Sequence, residues 1–418
     1  MPSSILIATP HAALAAPDRR EPTWAQRALR RRIVDALRRL RSGAVVLRDS
    51  LGELTLGDPK GPLGSVDLEV TSPALWTSLA LGGDVGAGES FVAGHWRSHD
   101  VVGLLRLLTR DRDVLLELDG SWLSWPVRGL RRVGHWLRDN TRAGSARNIH
   151  DHYDVGDELF AQFLDPTMTY SAAWWARPEQ SLEQAQREKL RRLCRLVDLS
   201  AEDELLEIGS GWGSLAMTAA AEFGARVTTT TISRNQFARA SERVAAAGLE
   251  GRVTVLQRDY RDLQGRFDKL LSCEMIEAVG ARHLPTYLRK CAALLRPGGA
   301  LGLQAITIRD QHYRSALGCV DYIKKHVFPG SFIPSVTAIT AAATRHTDLR
   351  LEYCEDFGPH YARTLAEWRQ RLLAAPGPFL ARPEGAALLR AWDYYFAYCE
   401  AGFRERHIGV CHLRLARS

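Results

Sequence analysis

No stretch of eighteen or more apolar residues occurs in this 418-residue chain, so the sequence holds no candidate for a membrane-crossing helix. The opening "MPSSILIATPHAALAAPDRR" lacks the charged start and long apolar centre of an export signal, and the expectation is a cytoplasmic protein with a loose N-terminus over residues 1–22. No two cysteines are spaced CxxC. Cys194, Cys273, Cys291, Cys319, Cys354, Cys399 and Cys411 are scattered and odd in number, which speaks for free thiols in reducing surroundings and against structural zinc. Internal repeats and low-complexity tracts are missing too. What the chain has in excess is positive charge, +7 net, which suits an anionic partner: nucleic acid, a phospholipid surface or an acidic small molecule. Its length exceeds what one core of ordinary size accounts for, and two domains are expected.

In "WAQRALRRRIVDALRRLR", Trp24 to Arg41, the residues Leu29, Ile33, Leu37 and Leu40 recur at helical spacing among arginines. Two readings of this basic amphipathic helix stay open: a domain-capping helix with solvated arginines, or a contact for anionic lipid headgroups. Short strands follow in "AVVLRD", "GELTLGD" and "SVDLEV", then a mixed helical segment, which together predict a small α+β domain over residues 23–115. Residues 116–147 read as a linker rich in Arg and Trp. Beyond residue 185, "DELLEIG", "ARVTTTTIS", "RVTVLQRD", "FDKLLSC" and "ALGLQAITI" alternate with helical stretches, the mark of a doubly wound, Rossmann-like α/β sheet, with a catalytic domain expected over 148–418. Ligands on such sheets bind at the carboxyl ends of the strands.

The first of those strands runs into "LLEIGSGWGSLAM", which places Glu207, Gly209, Gly211 and Gly213 at alternate positions. A nicotinamide loop would read GxGxxG; this is ExGxGxG, with glycines that let the backbone approach a ligand. Upstream, "SARNIHDHYDVGDELF" sets His150 and His152 among Asp151, Asp154, Asp157 and Glu158. Metal ligation there would need further ligands, and the chain offers no clear companion cluster.

The glycine loop resembles the first motif of class I S-adenosylmethionine-dependent methyltransferases, which implies Gly209 and Gly211 at the methionine part of S-adenosylmethionine. The second strand of that family usually ends in a ribose-binding acid; here Thr231 and Gln236 stand in its place. "HDHYDVGDELF", "LDPTMTYSAAWW", "TISRNQ", "RDYRDL", "EMIEAVG", "VFPGSFIPS", "FGPHYARTLAEW" and "CEAGFR" together resemble the cyclopropane-fatty-acyl-phospholipid synthase family and its mycolic-acid relatives, from about Asn148 to Phe403. The resemblance makes the His150–His152 stretch a helical lead-in covering the active site. It places Tyr153, Tyr170 and Ser171 near cofactor and acyl chain, and Asp259 and Tyr260 at the cofactor. Without it, a packed core tyrosine is the lesser alternative for Tyr170.

The resemblance implies methyl transfer from S-adenosylmethionine to the cis double bond of a phospholipid acyl chain. It also implies a bound bicarbonate as base, held by a glutamate, a histidine, a tyrosine and backbone groups beside a cysteine. The glutamate falls on Glu277, the tyrosine on Tyr361 and a backbone group on Ile306, while Gln304 replaces the histidine and Ala172 the cysteine. Glu277 also reads as a helix cap and Gln304 as a structural amide. Ring closure gives a cyclopropane; a hydride shift before proton loss gives a methylene branch, and both products stay open. A nucleic-acid methyltransferase is less well supported, because "SCEMIEAVG" stands where an Asn/Asp-Pro-Pro-aromatic turn would hold a base. The expected partners are unsaturated phospholipid chains and the anionic inner membrane surface, bound peripherally, with monomer and homodimer both open and no metal.

Overall fold

A computed structural model describes residues 21–114 and 156–418. His150, Asp151, His152, Tyr153, Asp154 and the 116–147 linker lie outside the described residues. The chain divides into two compact units: residues 1–133 with 365–405, and residues 134–364 with 406–418. The 365–405 segment therefore groups with the first unit rather than with the surrounding catalytic sequence.

In the first unit a helix, Trp24–Leu37, starts at a capping box in which Thr23 Oγ1 and Gln26 exchange bonds with each other's backbone. It buries Ile33, Val34, Ala36 and Leu37. Strands β1 (Ala44–Asp49), β2 (Gly52–Gly57), β3 (Ser65–Val70) and β4 (Trp96–Arg97) pair in the order β2-β1-β3-β4. The first three lie where the apolar runs predicted them. Helix Gly385–Arg404 adds Tyr394, which packs with Phe91 and Trp96 at centroid distances of 5.5 and 6.3 Å.

The second unit is built on seven strands: β5 (Glu204–Ile208), β6 (Arg226–Thr231), β7 (Val253–Gln257), β8 (Phe267–Cys273), β9 (Leu295–Ile308), β10 (Leu349–Asp356) and β11 (Ile408–Arg417), in the order β10-β11-β9-β8-β5-β6-β7. β9, β8, β5, β6 and β7 are mutually parallel, and β11 runs antiparallel between β9 and β10. Successive residues face opposite sides of a sheet, and here both sides are covered. Leu206, Leu270 and Leu301 join one core with Leu288 and Ile339; Leu205, Leu271 and Ala300 join the other with Leu193 and Ala216. That double burial is why β5, β8 and β9 carry consecutive apolar residues, whereas β6 is rich in threonine and β7 is only partly buried. β10 and β11 were not foreseen: β10 is largely exposed, and the alternation of β11 is interrupted by His412 and Arg414.

Candidate active site

The glycine loop, "TISRNQ", "RDYRDL" and "EMIEAVG" each lie at or just beyond the carboxyl end of a parallel strand: β5, β6, β7 and β8 in turn. β5 ends at Ile208, and the backbone N–H groups of Gly209 and Ser210 both donate to Thr230 O on β6, which turns the chain out of the sheet. Gly209, Gly211 and Gly213 have φ of +99°, +49° and +87°, a region that costs a non-glycine residue about 1–2 kcal/mol. A Cβ at Gly211 would meet nothing within 4 Å, so the loop presents bare backbone to open space. Glu207 lies beneath it, buried, accepting from Thr229 Oγ1 at 2.6 Å. Desolvation pushes its carboxyl up to about 8.

At the end of β6, Thr231 Oγ1 donates to Gln236 Oε1 at 2.8 Å, joining the two residues expected at the ribose. Beyond β7, the Asp259 carboxylate accepts from the Arg261 guanidinium at 2.9 and 2.7 Å, so its charge is already paired. Tyr260 packs edge-on to Tyr287 at 5.4 Å, and burial raises its phenol to about 12. Tyr170 packs against Phe160 and Phe163, at 5.2 and 6.1 Å. Ser171 Oγ accepts from the buried Lys189 ammonium at 2.7 Å. Asp157 Oδ1 accepts from the Trp212 indole N–H at 3.1 Å, tying helix Asp157–Phe163 to the glycine loop.

The second cluster contains a residue the sequence reading missed. Glu274 follows β8 with φ +49°, uncommon outside glycine and costly enough that the surroundings must enforce it. Its N–H donates to Gln304 O at 2.7 Å. Its Oε1 accepts from Ala172 N at 2.9 Å and Gln304 Nε2 at 2.7 Å, and its Oε2 accepts from Tyr361 OH at 2.8 Å. Burial raises its proton affinity, while these donors and Lys189 oppose the rise. Glu277 Oε1 accepts from Ile306 N at 2.5 Å, and its Oε2 is buried without a partner. Desolvation, then the neighbouring Glu274, raise Glu277 to about 8, so it is chiefly the neutral acid at pH 7.

Two elements hold this cluster in register. Gln304 and His412 face each other across β9 and β11, and His412 Nε2 lies 2.9 Å from Gln304 Oε1. Burial lowers His412 to about 3, so it stays neutral, and its Nε2–H donates to the amide oxygen. That fixes the Gln304 NH₂ towards Glu274 and towards Ala172 O, at 3.3 Å. The "SAAWW" segment is clamped by helix Gly358–Ala374: Trp175 N donates to His360 Nδ1 at 2.9 Å, and Ala173 N to Thr364 Oγ1 at 3.1 Å. All five residues expected around the base, Glu277, Tyr361, Gln304, Ile306 and Ala172, thus converge. Glu274 was legible only as a second carboxylate three positions before Glu277, and His412 lay on an unread strand.

The profile of the mycolic acid cyclopropane synthetases matches residues 140–413. The chain belongs to this family. The tuberculostearic acid methyltransferase of Mycobacterium tuberculosis is 39% identical over 86% of this chain and 84% of its own length. The cyclopropane-fatty-acyl-phospholipid synthase of Escherichia coli K12 is 32% identical over 84% and 88%. Among solved structures, a mycolic acid cyclopropane synthase in complex with SAH and CTAB aligns with TM-score 0.60 and 26% identity, over 65% of this chain and 98% of that one.

The protein is an S-adenosylmethionine-dependent methyltransferase, and the bare, positive-φ Gly209–Gly213 loop fits the amino-acid end of that donor. Bound there, the donor supplies an electrophilic methyl group. A bicarbonate does not fit in the same way. Three of the donors expected to hold it, Ala172 N, Gln304 Nε2 and Tyr361 OH, already bond to Glu274, and a second anion beside that carboxylate would meet like charge.

Proposed function

We propose that this methyltransferase methylates a cis double bond within an unsaturated phospholipid acyl chain. The observation that carries the reading is the carboxyl pair Glu274 and Glu277, joined with Tyr361, Gln304 and the backbone of Ala172 and Ile306 at the strand ends next to the glycine loop. An alkene is a weak nucleophile and forms a carbocation on methylation. The site must therefore align the π bond, exclude water and offer an acceptor for one proton. In this reading Gly209, Gly211, Thr231, Gln236, Tyr170, Ser171, Asp259 and Tyr260 surround the methyl donor, Asp259 acting through its Arg261-paired carboxylate.

Cyclopropane formation is the first reading of the product. A methylene branch is the second. It is favoured by Ala172 and Gln304 in the places of cysteine and histidine, and by 39% identity to a tuberculostearic acid methyltransferase. The exposed Trp24, Arg31 and Arg32 of the first helix supply the contact with an anionic bilayer. The test is incubation of purified protein with methyl-labelled S-adenosylmethionine and liposomes of monounsaturated phosphatidylglycerol, followed by mass spectrometry of the released chains. A gain of one carbon on the chain is expected; label confined to nucleic acid or amines would overturn the reading.

A further inference from the structure

We propose that the Glu274 carboxylate is a built-in base that accepts the proton released after methyl transfer, so that this enzyme works without bicarbonate. The inference rests on the reading of alkene methylation above.

Three observations carry it. First, Glu274 occupies the place the family resemblance assigns to an anion, bonded to three of the donors expected there. Second, a carboxylate has about four acceptor positions, and here Oε1 takes two donors and Oε2 one. The remaining position, on Oε2, is where a proton can be received. Third, the residue keeps a left-handed backbone, φ +49°, that glycine would adopt without strain, and its whole surroundings serve to hold that carboxylate in place. Gln304 is locked by His412, Ala172 by the clamped "SAAWW" segment, and Tyr361 comes from helix Gly358–Ala374. Glu277, raised to about 8 by burial and then by the neighbouring Glu274, keeps its own proton at pH 7, which leaves Glu274, with its three donors, as the acceptor of the two.

The step balances without an added reagent. Transfer breaks the S–CH₃ bond, whose pair stays on sulfur, and the alkene π pair forms the new C–C bond, leaving a cation on the adjacent carbon. The added methyl group then loses a proton to Glu274. Its C–H pair becomes either the third ring bond or, after a hydride has moved with its pair to the cationic carbon, the C=C bond of a methylene group. Glu274 passes the proton on to solvent.

The test compares wild type with Glu274→Gly and Glu274→Gln in buffer freed of CO₂. Wild-type turnover is expected to be unchanged by depleting or adding bicarbonate. Glu274→Gly relieves the backbone and empties the cradle; its turnover should fall at least 100-fold and return in a saturable way as bicarbonate is added. Glu274→Gln, which fills the cradle with a neutral amide, should lose activity without rescue. Binding of ¹³C-bicarbonate, followed by NMR line width, gives a readout independent of turnover: expected for Glu274→Gly, absent for wild type. Wild-type activity that stops without bicarbonate, or parental activity in Glu274→Gln, would overturn the proposal. If wild type modifies no lipid at all, the alkene reading fails, and bicarbonate binding still decides whether Glu274 fills the anion site.

Discussion

Glu277 presents a neutral carboxyl with one oxygen bonded to Ile306 N and the other unpartnered, beside the Glu274 charge. An interaction that matters mainly as charge develops lowers the rate rather than ground-state affinity. Glu277→Gln is therefore expected to reduce kcat roughly 100-fold, with the affinity for S-adenosylmethionine in calorimetry unchanged. Glu277 and Glu207 also set a pH dependence of stability. Both are raised from 4.5 to about 8 by burial, so between those values the unfolded chain releases protons that the folded chain keeps. Stability should then fall as pH rises from about 4.5 to 8 and level off above, by roughly 1.4 kcal/mol per pH unit for each independent group. Urea unfolding at pH 5, 6.5 and 8 measures the slope. Glu207→Gln should make it shallower; an unaltered slope would show that Glu207 is not held neutral.

At the scale of elements, the β5-to-helix turn separates two effects of glycine. A methyl group at Gly211 meets no neighbouring atom, so Gly211→Ala costs stability only through its φ of +49°, about 1 kcal/mol. The same methyl projects where a ligand would approach the backbone. Affinity for S-adenosylmethionine should drop about tenfold or more while the melting temperature shifts by only a few degrees. Unchanged affinity would remove the loop from the donor site. β9 and β11 act similarly as a unit, because their register puts neutral His412 opposite Gln304 and so decides which way the amide points.

For the whole molecule, the +7 charge bears on the proposed contact with an anionic bilayer. Removing the first helix is a poor test, since Ile33, Val34, Ala36 and Leu37 are core residues of the first unit and their loss would unfold it. Arg31 and Arg32 are exposed, and the double variant Arg31→Glu/Arg32→Glu leaves that core intact. It should weaken binding to vesicles rich in anionic phospholipid about tenfold or more, at roughly 1 kcal/mol per basic residue near the surface, with a shallower salt dependence in co-sedimentation. Equal binding by the variant would assign these arginines to solvent alone.

What the sequence determined by itself is the parallel part of the sheet and the glycine turn after β5. Its central parallel strands β5, β8 and β9 are buried on both faces, so they had to carry consecutive apolar residues, and a tight strand-to-helix turn with positive φ had to be glycine. Local pattern was enough because the cause is local. β10 and β11 escaped because an exposed edge strand and a strand carrying His412 and Arg414 lack that pattern, and their pairing is set by partners far along the chain, such as Cys411 for Asp356 and Ile308 for Ile408. Only the tertiary structure decided that residues 365–405 group with the first unit, and that Glu274 bonds to Ala172, Gln304 and Tyr361. Motif reading could place the donors, but it could not say which acceptor they meet. That depends on a left-handed backbone at one residue and on four segments closing around it, and neither leaves a periodic trace in the chain.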